Sequence, residues 1–557
     1  MQSSRRLVAP ATLALLLIAS AATAHLGGNV GSGSAYEPAP PSLPARLGPV
    51  EPLCPDPQPE HREAQTLHGV EIEESLQCHP DDPRWIAAFV KGTNNVPEEM
   101  LDEVGLHRQA VVKCCDRDGD GDPDLITITL EVAELNGWHL DEDLIAGEGH
   151  AIAPGVKPGF WVFAPKTTIY HGGPIEDLVR APSPSLRVEQ GDTVQLRLEN
   201  THYIPHTIHL HGVDHPFLDA DGEGNDGVPH ASEGPVLPGE ARVYDFTPRQ
   251  AGTMFYHCHV QPQVHVPMGL NGAIIVEEQR ADNWVQTINV GAGDVRHPSV
   301  AVREEYDREY DLHYQEVDKE LHQIVTDWRD PRHVAEQTTW GYDITDADPD
   351  YFLLNGRSFP YTLRESVLWV EEDEDVKLRV LNGGAEPVSL HAHGHKPTVT
   401  HYDGVEAPPG GQIQRDVHFL SAAQRLDLYL STKNDGLDSY GPGVWFMHDH
   451  REQAVTTDGV SPGGDITTIA YTQFRDNETS LPVTQGHDWR LFFRERYYDQ
   501  QIPAFAMTGE EYLLEAADPE RPVTGVQPYD LVIYLAAALG SVVVLGFVLL
   551  QARRFRK

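Results

Sequence analysis

Histidine occurs 29 times in the 557 residues, and it forms His-x-His pairs at His209/His211, His257/His259, His391/His393 and His448/His450. Random placement of that many histidines predicts only about 1.5 such pairs. On an extended strand, residues i and i+2 point to one face and i+1 to the other. Each pair therefore offers two imidazoles on one side, while Cys258, between His257 and His259, points the opposite way. His206 precedes His211 by five residues, an odd separation that places it on the Cys258 side. With His265, that face collects a His₂Cys set, and a soft thiolate with two imidazoles suits copper in a mononuclear blue site. The other face collects paired histidines only. A lone buried histidine is more often a satisfied core residue than a ligand, and His202, His215, His230, His395 and His401 are read that way.

Strands must position these side chains, and the patterning supplies them. Leu125-Ile126-Thr127-Ile128-Thr129-Leu130, Ser185-Leu186-Arg187-Val188 and Thr193-Val194-Gln195-Leu196-Arg197-Leu198 alternate with period two, separated by Gly- and Pro-containing turns. A second run of short strands extends from about Arg308 to Tyr471. The fold class expected is all-β, two consecutive β-sandwiches spanning 124–280 and 281–475.

At this point the chain resembles the multicopper oxidases built of cupredoxin domains. The resemblance rests on Pro205-His206-Thr-Ile-His209-Leu-His211-Gly212, Gly252-Thr-Met-Phe-Tyr-His257-Cys258-His259, His391-Ala-His393-Gly394 and Trp445-Phe-Met-His448-Asp449-His450, in the family's order over about 125–475. It implies a type 1 copper on His206, Cys258 and His265, and a type 2 copper on His209 and His391. A type 3 pair would sit on His211, His257, His259, His393, His448 and His450, making four coppers per chain equivalent. Electrons taken singly from a phenol or a metal ion would pass from Cys258 through His257 and His259 to a trinuclear cluster that reduces O2 to water. The axial position of the type 1 site falls on Leu270, with Met268 as the alternative. A non-coordinating axial residue would raise the potential. In the second half, Val388 stands in the slot of His206 and Asp449 in that of Cys258, so the mononuclear site is expected only in the first domain.

A copper nitrite reductase shares the two-domain plan, but that family has Asp at the position of His209 and lacks the second histidine of the His257-Cys-His259 motif. A non-catalytic cupredoxin carrier would need only His206, Cys258 and His265. Only about 30 residues, near 279–307, separate the sandwiches. In two-domain relatives the cluster forms between the first domain of one subunit and the second domain of its neighbour, which implies a homotrimer.

The ends and the composition bound the rest. Lys plus Arg is 41 and Asp plus Glu is 85, a net charge of −44 that argues against nucleic acid as a partner. Residues 1–24 read as a signal peptide, with Arg5 and Arg6 before an apolar run and Ala22-Thr23-Ala24 as the cleavage site. Residues 25–123 read as a Pro-rich linker and a Cys-containing extension. Residues 476–529 read as a stalk, 530–552 as a transmembrane helix and 553–557 as a cytoplasmic basic tail. The expected location is a single-pass anchor in the cell membrane, with the catalytic domains in an oxidising, extracytoplasmic compartment. Cys54, Cys78, Cys114 and Cys115 are expected to form two disulfides, with no bond between the vicinal Cys114 and Cys115. Asp116, Asp118, Asp120, Asp122 and Asp124, interleaved with Gly119 and Gly121, resemble a calcium loop, although no bidentate Glu follows. The acidic loop 219–226 is weighed as a dock for a cationic substrate such as Fe(II) against a plain solvated loop.

Overall fold

The computed structural model describes residues 105–137, 149–168, 178–295, 306–328, 330–476 and 489–498, with short pieces between 65 and 101, at 146–147 and at 479–484. The strands form two β-sandwiches in a mostly β, cupredoxin-like fold. One sheet of the first sandwich orders Ala241–Phe246, Thr193–Glu199, Leu125–Leu135 and Val111–Cys114, with Phe160–Pro165 also bonded to the 125–135 strand. The facing sheet orders Ile288–Asn289, Ser185–Glu189, Asn271–Glu277, Gly252–His257 and His209–His211. Alternation sorts the strand 193–199 cleanly: Val194, Leu196 and Leu198 are buried and the residues between them half-buried. The strands 252–257 and 271–277 are buried on both faces, because the second sandwich covers their outer side through Phe255, Ala273, Ile275 and Leu381.

The second sandwich repeats the plan. Its larger sheet contains Arg308–Val317, Asp375–Asn382, Arg425–Ser431 and Thr398–Tyr402, and the other orders Leu368–Val370, Thr467–Tyr471, Val444–Asp449, Val388–Ala392 and Val417–Leu420. A buried ionic network joins the halves. Arg187 holds Asp311 with both guanidinium Nη atoms, at 2.7 and 2.5 Å, and reaches Glu309 at 3.3 Å. Arg379 bonds Glu309 and Asp427, each at 2.6 Å, and reaches Glu277 at 3.4 Å. Burial works to raise the Glu309 carboxyl, and Arg379 and Arg187 beside it overcome that and hold it at about 2.

The structure corrects several boundaries. Val111–Cys114 pairs with the strand 125–135, Val111 opposite Ile128, and Leu106 and Ala110 enter the core, so the first sandwich begins well before 124. The handover between domains falls after 289, not at 280, since Ile288–Asn289 still pairs with the strand 185–189 and Gly293–Asp294 already pairs with 308–317. The stretch expected to open the stalk is body instead: Leu481, Trp489, Phe492, Phe493 and Tyr498 are buried against Phe359, Tyr361 and Leu363. Aromatic area of that size buries itself wherever a facing apolar surface exists. Two helices interrupt the second domain, Lys319–Asp327 and Pro331–Trp340, capped by Asp318 and Asp330. Their Leu321, Val325 and Val334 pack into the first sandwich's core.

Contrary to expectation, Cys114 and Cys115 are bonded to each other. Cys115 takes a left-handed φ of 71° where the chain leaves its strand. Cys54, Cys78, the signal segment, the 530–552 span and the basic tail lie outside the described residues. Among those described, no helix is long and apolar enough to cross a membrane.

Candidate metal centre

The strand ladders bring the histidine pairs together. His209 lies opposite His257 and His211 opposite Phe255 in one antiparallel pair. In the second domain His391 lies opposite His448 and Ala392 opposite Met447. Each domain therefore gathers four imidazoles around two neighbouring strands of one sheet. In the first, the His209 ring centroid lies 5.0, 5.3 and 5.2 Å from those of His211, His257 and His259. In the second, His391 lies 4.6, 5.8 and 5.3 Å from His393, His448 and His450.

Hydrogen bonds set the tautomers. His209, His257, His391 and His448 each direct Nδ1 at a backbone carbonyl, of Asp226, Cys258, Asp416 and Asp449, at 2.6, 2.8, 3.1 and 2.8 Å. A carbonyl only accepts, so Nδ1 carries the hydrogen and Nε2 keeps its lone pair for a metal. The free nitrogens then crowd one another: Nε2 of His211 is 3.0 Å from Nε2 of His257, and Nε2 of His393 is 3.3 Å from that of His448. Burial, reinforced by neighbouring rings, pushes His211 down to about 4 and His257 down to about 3, so both are neutral and available as ligands at ordinary pH.

Cys258 turns the other way and is fully buried. Its Sγ lies 3.6 Å from Nδ1 of His206 and 3.2 Å from Nδ1 of His265, and the three donor atoms all fall within 4.8 Å of one another. One thiol and two imidazole nitrogens so converged fit a copper ion. Here the imidazoles offer Nδ1, whereas the four carbonyl-bound histidines on the opposite side offer Nε2. Burial pushes the Cys258 thiol up to about 12, so a metal must displace its proton to bind. Leu270 is stitched to two of the donors: its carbonyl accepts from Cys258 N–H at 3.0 Å and its N–H donates to the His265 carbonyl at 3.1 Å. Leu270 and Met268 are both buried.

In the second domain the corresponding slot holds an ion pair. Asp449 is fully buried, accepts from Ser389 N–H at 2.9 Å and binds Arg451 Nε at 2.7 Å. Two features escaped the sequence reading. His215 joins the His209 edge, its Nε2 3.0 Å from Asp226 Oδ1, and a His202–Glu134 pair stands behind His206. Neither has a strand periodicity that would reveal it. The acidic loop 219–226 is thereby placed on the His209 side, through Asp226. Of the five aspartates expected together, Asp116, Asp118 and Asp124 bring carboxylate oxygens within 4.8 Å of one another. Asp122 is instead buried, accepting Asn283 N–H at 2.8 Å.

Fold and donor sets together define a copper-binding protein of paired β-sandwiches. Residues 179–281 and 320–461 each match a family described as multicopper oxidase, so the chain carries two multicopper oxidase domains. An iron transport multicopper oxidase of Gibberella zeae is 24% identical over 358 residues, 58% of this chain and 51% of the relative. That of Saccharomyces cerevisiae is 27% identical over 261 residues, 46% and 34% of the two chains. Copper resistance protein A of Pseudomonas syringae pv. tomato is 37% identical over 101 residues, 18% and 15%. The chain thus spans about half the length of these curated relatives, or less. Among solved structures, a blue copper oxidase from Nitrosomonas europaea is similar with a TM-score of 0.45 at 24% identity, covering 63% of this chain and 86% of that one. A copper nitrite reductase from the same organism has a TM-score of 0.40 at 21% identity, covering 65% and 98%.

Proposed function

We propose that the chain is an oxidase coupling one-electron oxidation of a small reducing substrate to four-electron reduction of O2 to water. The observation that carries this reading is the duplicated histidine cluster: His209 opposite His257 and His391 opposite His448, each with two further imidazoles alongside. A carrier has no use for eight such side chains, and a nitrite reductase has Asp rather than His at the place of His209. Copper, when bound, supplies the redox chemistry, at a mononuclear site on His206, Cys258 and His265 and at a cluster on the eight paired histidines. In that assignment His209 and His391 hold the type 2 ion and His211, His257, His259, His393, His448 and His450 the type 3 pair. Cys258 adjoins His257 and His259 along the backbone, so the chain itself is the electron path between the two sites. Leu270 in the axial position would leave the mononuclear site three-coordinate.

A cavity of about 520 Å³ opens over His265. Ile204, Pro205, Val228, Pro229, Pro235 and Val260 line it with His230 and two threonines of the helix 331–340, and no carboxylate is among its lining residues. That lining favours a neutral aromatic donor such as a phenol over a bare metal cation.

The assembly we infer is a homotrimer. Among the described residues no ring contact joins the His209 set to the His391 set, and apolar side chains lie exposed beside them, Phe217 at 59%, Phe419 at 60% and Phe446 at 39%. A heterologous contact placing one subunit's His209 edge against its neighbour's His391 edge closes into a ring. The charge-free run 530–552 with its trailing basic cluster supports membrane anchorage.

Mixing tests cluster and assembly together. His209→Ala and His448→Ala chains, each inactive alone, are co-expressed in equal amounts. A cluster shared between subunits restores about one quarter of wild-type oxygen uptake, the product of two independent halves. No recovery refutes sharing, and fewer than four coppers per chain in the unmutated protein refutes the oxidase.

A further inference from the structure

His206 turns Nδ1 toward the Cys258 sulfur and Nε2 away from it, into the interior of the first sandwich. There it meets Nδ1 of His202 at 3.0 Å, and Nε2 of His202 faces Glu134 Oε2 at 3.4 Å. All three residues are 2% exposed or less. The same carboxylate oxygen accepts from the Trp161 indole N–H at 2.9 Å and from the Tyr203 hydroxyl at 2.7 Å. Trp161 and Tyr203 also clamp the His202 ring, at centroid distances of 5.2 and 4.0 Å. Every element of this row is therefore held in place.

The row has one direction. Glu134 Oε2 already accepts from Trp161 and Tyr203, so towards it Nε2 of His202 carries the hydrogen and its Nδ1 keeps a lone pair. That lone pair accepts the Nε2 hydrogen of His206, and Nδ1 of His206 is left bare, facing Cys258. Glu134 thus fixes two tautomers in series. His265 is placed differently: its ring stands edge-on to Trp161, 5.3 Å between centroids, and borders the substrate cavity.

We propose that Glu134 and His202 are positioning residues that make His206 the electron-rich imidazole of the mononuclear copper site. This rests on the assignment of His206, Cys258 and His265 as copper ligands. A carboxylate two hydrogen bonds away draws the Nε2 hydrogen outward and raises the basicity of Nδ1, as outer-shell partners of metal-bound histidines do. A more basic donor favours the oxidised ion over the reduced one. The row therefore lowers the site's potential, opposing the rise that a leucine in the axial position produces.

The test uses the copper-loaded full chain with Glu134→Gln, which is isosteric, and His202→Phe, which keeps the ring packing and removes both nitrogens. Midpoint potential is read by spectroelectrochemistry, and copper coordination by electron paramagnetic resonance at fixed pH. Both variants are expected to raise the potential, by 59 mV for each tenfold loss of preference for the oxidised ion. They are also expected to lose 10- to 100-fold in Cu(II) affinity at this site, roughly the usual cost of removing such a partner. The histidine cluster should keep its copper. His202→Gln, whose amide both accepts and donates, should recover part of the shift. Unchanged potential and spectrum in Glu134→Gln, or in His202→Phe should the first variant not fold, overturn the proposal. Absence of a blue copper signal in the unmutated chain would instead remove the ligand assignment beneath it.

Discussion

His265 and Cys258 meet with Nδ1 and Sγ 3.2 Å apart, at the point where the backbone passes from a strand edge of histidines into the short helix Pro262–His265. The same strand end thus carries a sulfur on one side and, through His257 and His259, two imidazoles on the other.

Cys258→Ser should abolish the intense blue absorption and stop substrate oxidation, while copper per chain falls by one. Serine keeps the volume and loses the soft anionic ligand. Visible spectroscopy with metal analysis checks this, and a surviving blue band would place the chromophore elsewhere.

His448→Ala should leave the blue copper intact, because Cys258 and the paired histidines occupy opposite faces. Once reduced, that copper should no longer be reoxidised by O2. Stopped-flow mixing of the reduced variant with oxygenated buffer measures it, and a wild-type rate would exclude the second domain from the cluster.

Arg187→Ala should destabilise the chain by about 3–5 kcal/mol, because Asp311 would remain buried without its cation and Glu309 would keep only Arg379. Urea denaturation followed by tryptophan fluorescence reads the change. The loss should exceed that from Arg249→Ala, whose partner Asp214 is paired on the surface at 2.7 Å.

Burial, followed by neighbouring carboxylates, pushes Glu189 up to about 8 and Asp192 up to about 7. Unfolded carboxyls titrate near 4, so between about pH 4 and 8 these two groups hold more protons in the folded chain than in the unfolded one. Their contribution to stability therefore falls as pH rises through that window. Asp192→Asn should remove its share, on the order of 2 kcal/mol at pH 8, and flatten the dependence. Thermal melts at pH 5 and pH 8 decide it, and equal slopes in variant and parent would refute the burial of that charge.

Alternation along single strands was enough to separate Cys258 from His257 and His259, and to put His206 on the sulfur's side, because the two-residue period is a local property of extended chain. The ladder partners His209–His257 and His391–His448 needed only that each motif pair with its own domain's neighbour. Other features depended on which distant segments come to lie together. Glu134 is 68 residues from His202, and Trp489 reaches Phe359 across 130 positions of chain, at 5.9 Å between rings. No periodicity encodes such meetings. The vicinal Cys114–Cys115 bond likewise depends on a left-handed φ at Cys115, which composition does not announce. What the sequence by itself determined is the donor types and the faces they share. What only the tertiary structure decided is which carboxylates, aromatic rings and arginines stand behind them, because those contacts arise when the strands pair and the sheets close over one core.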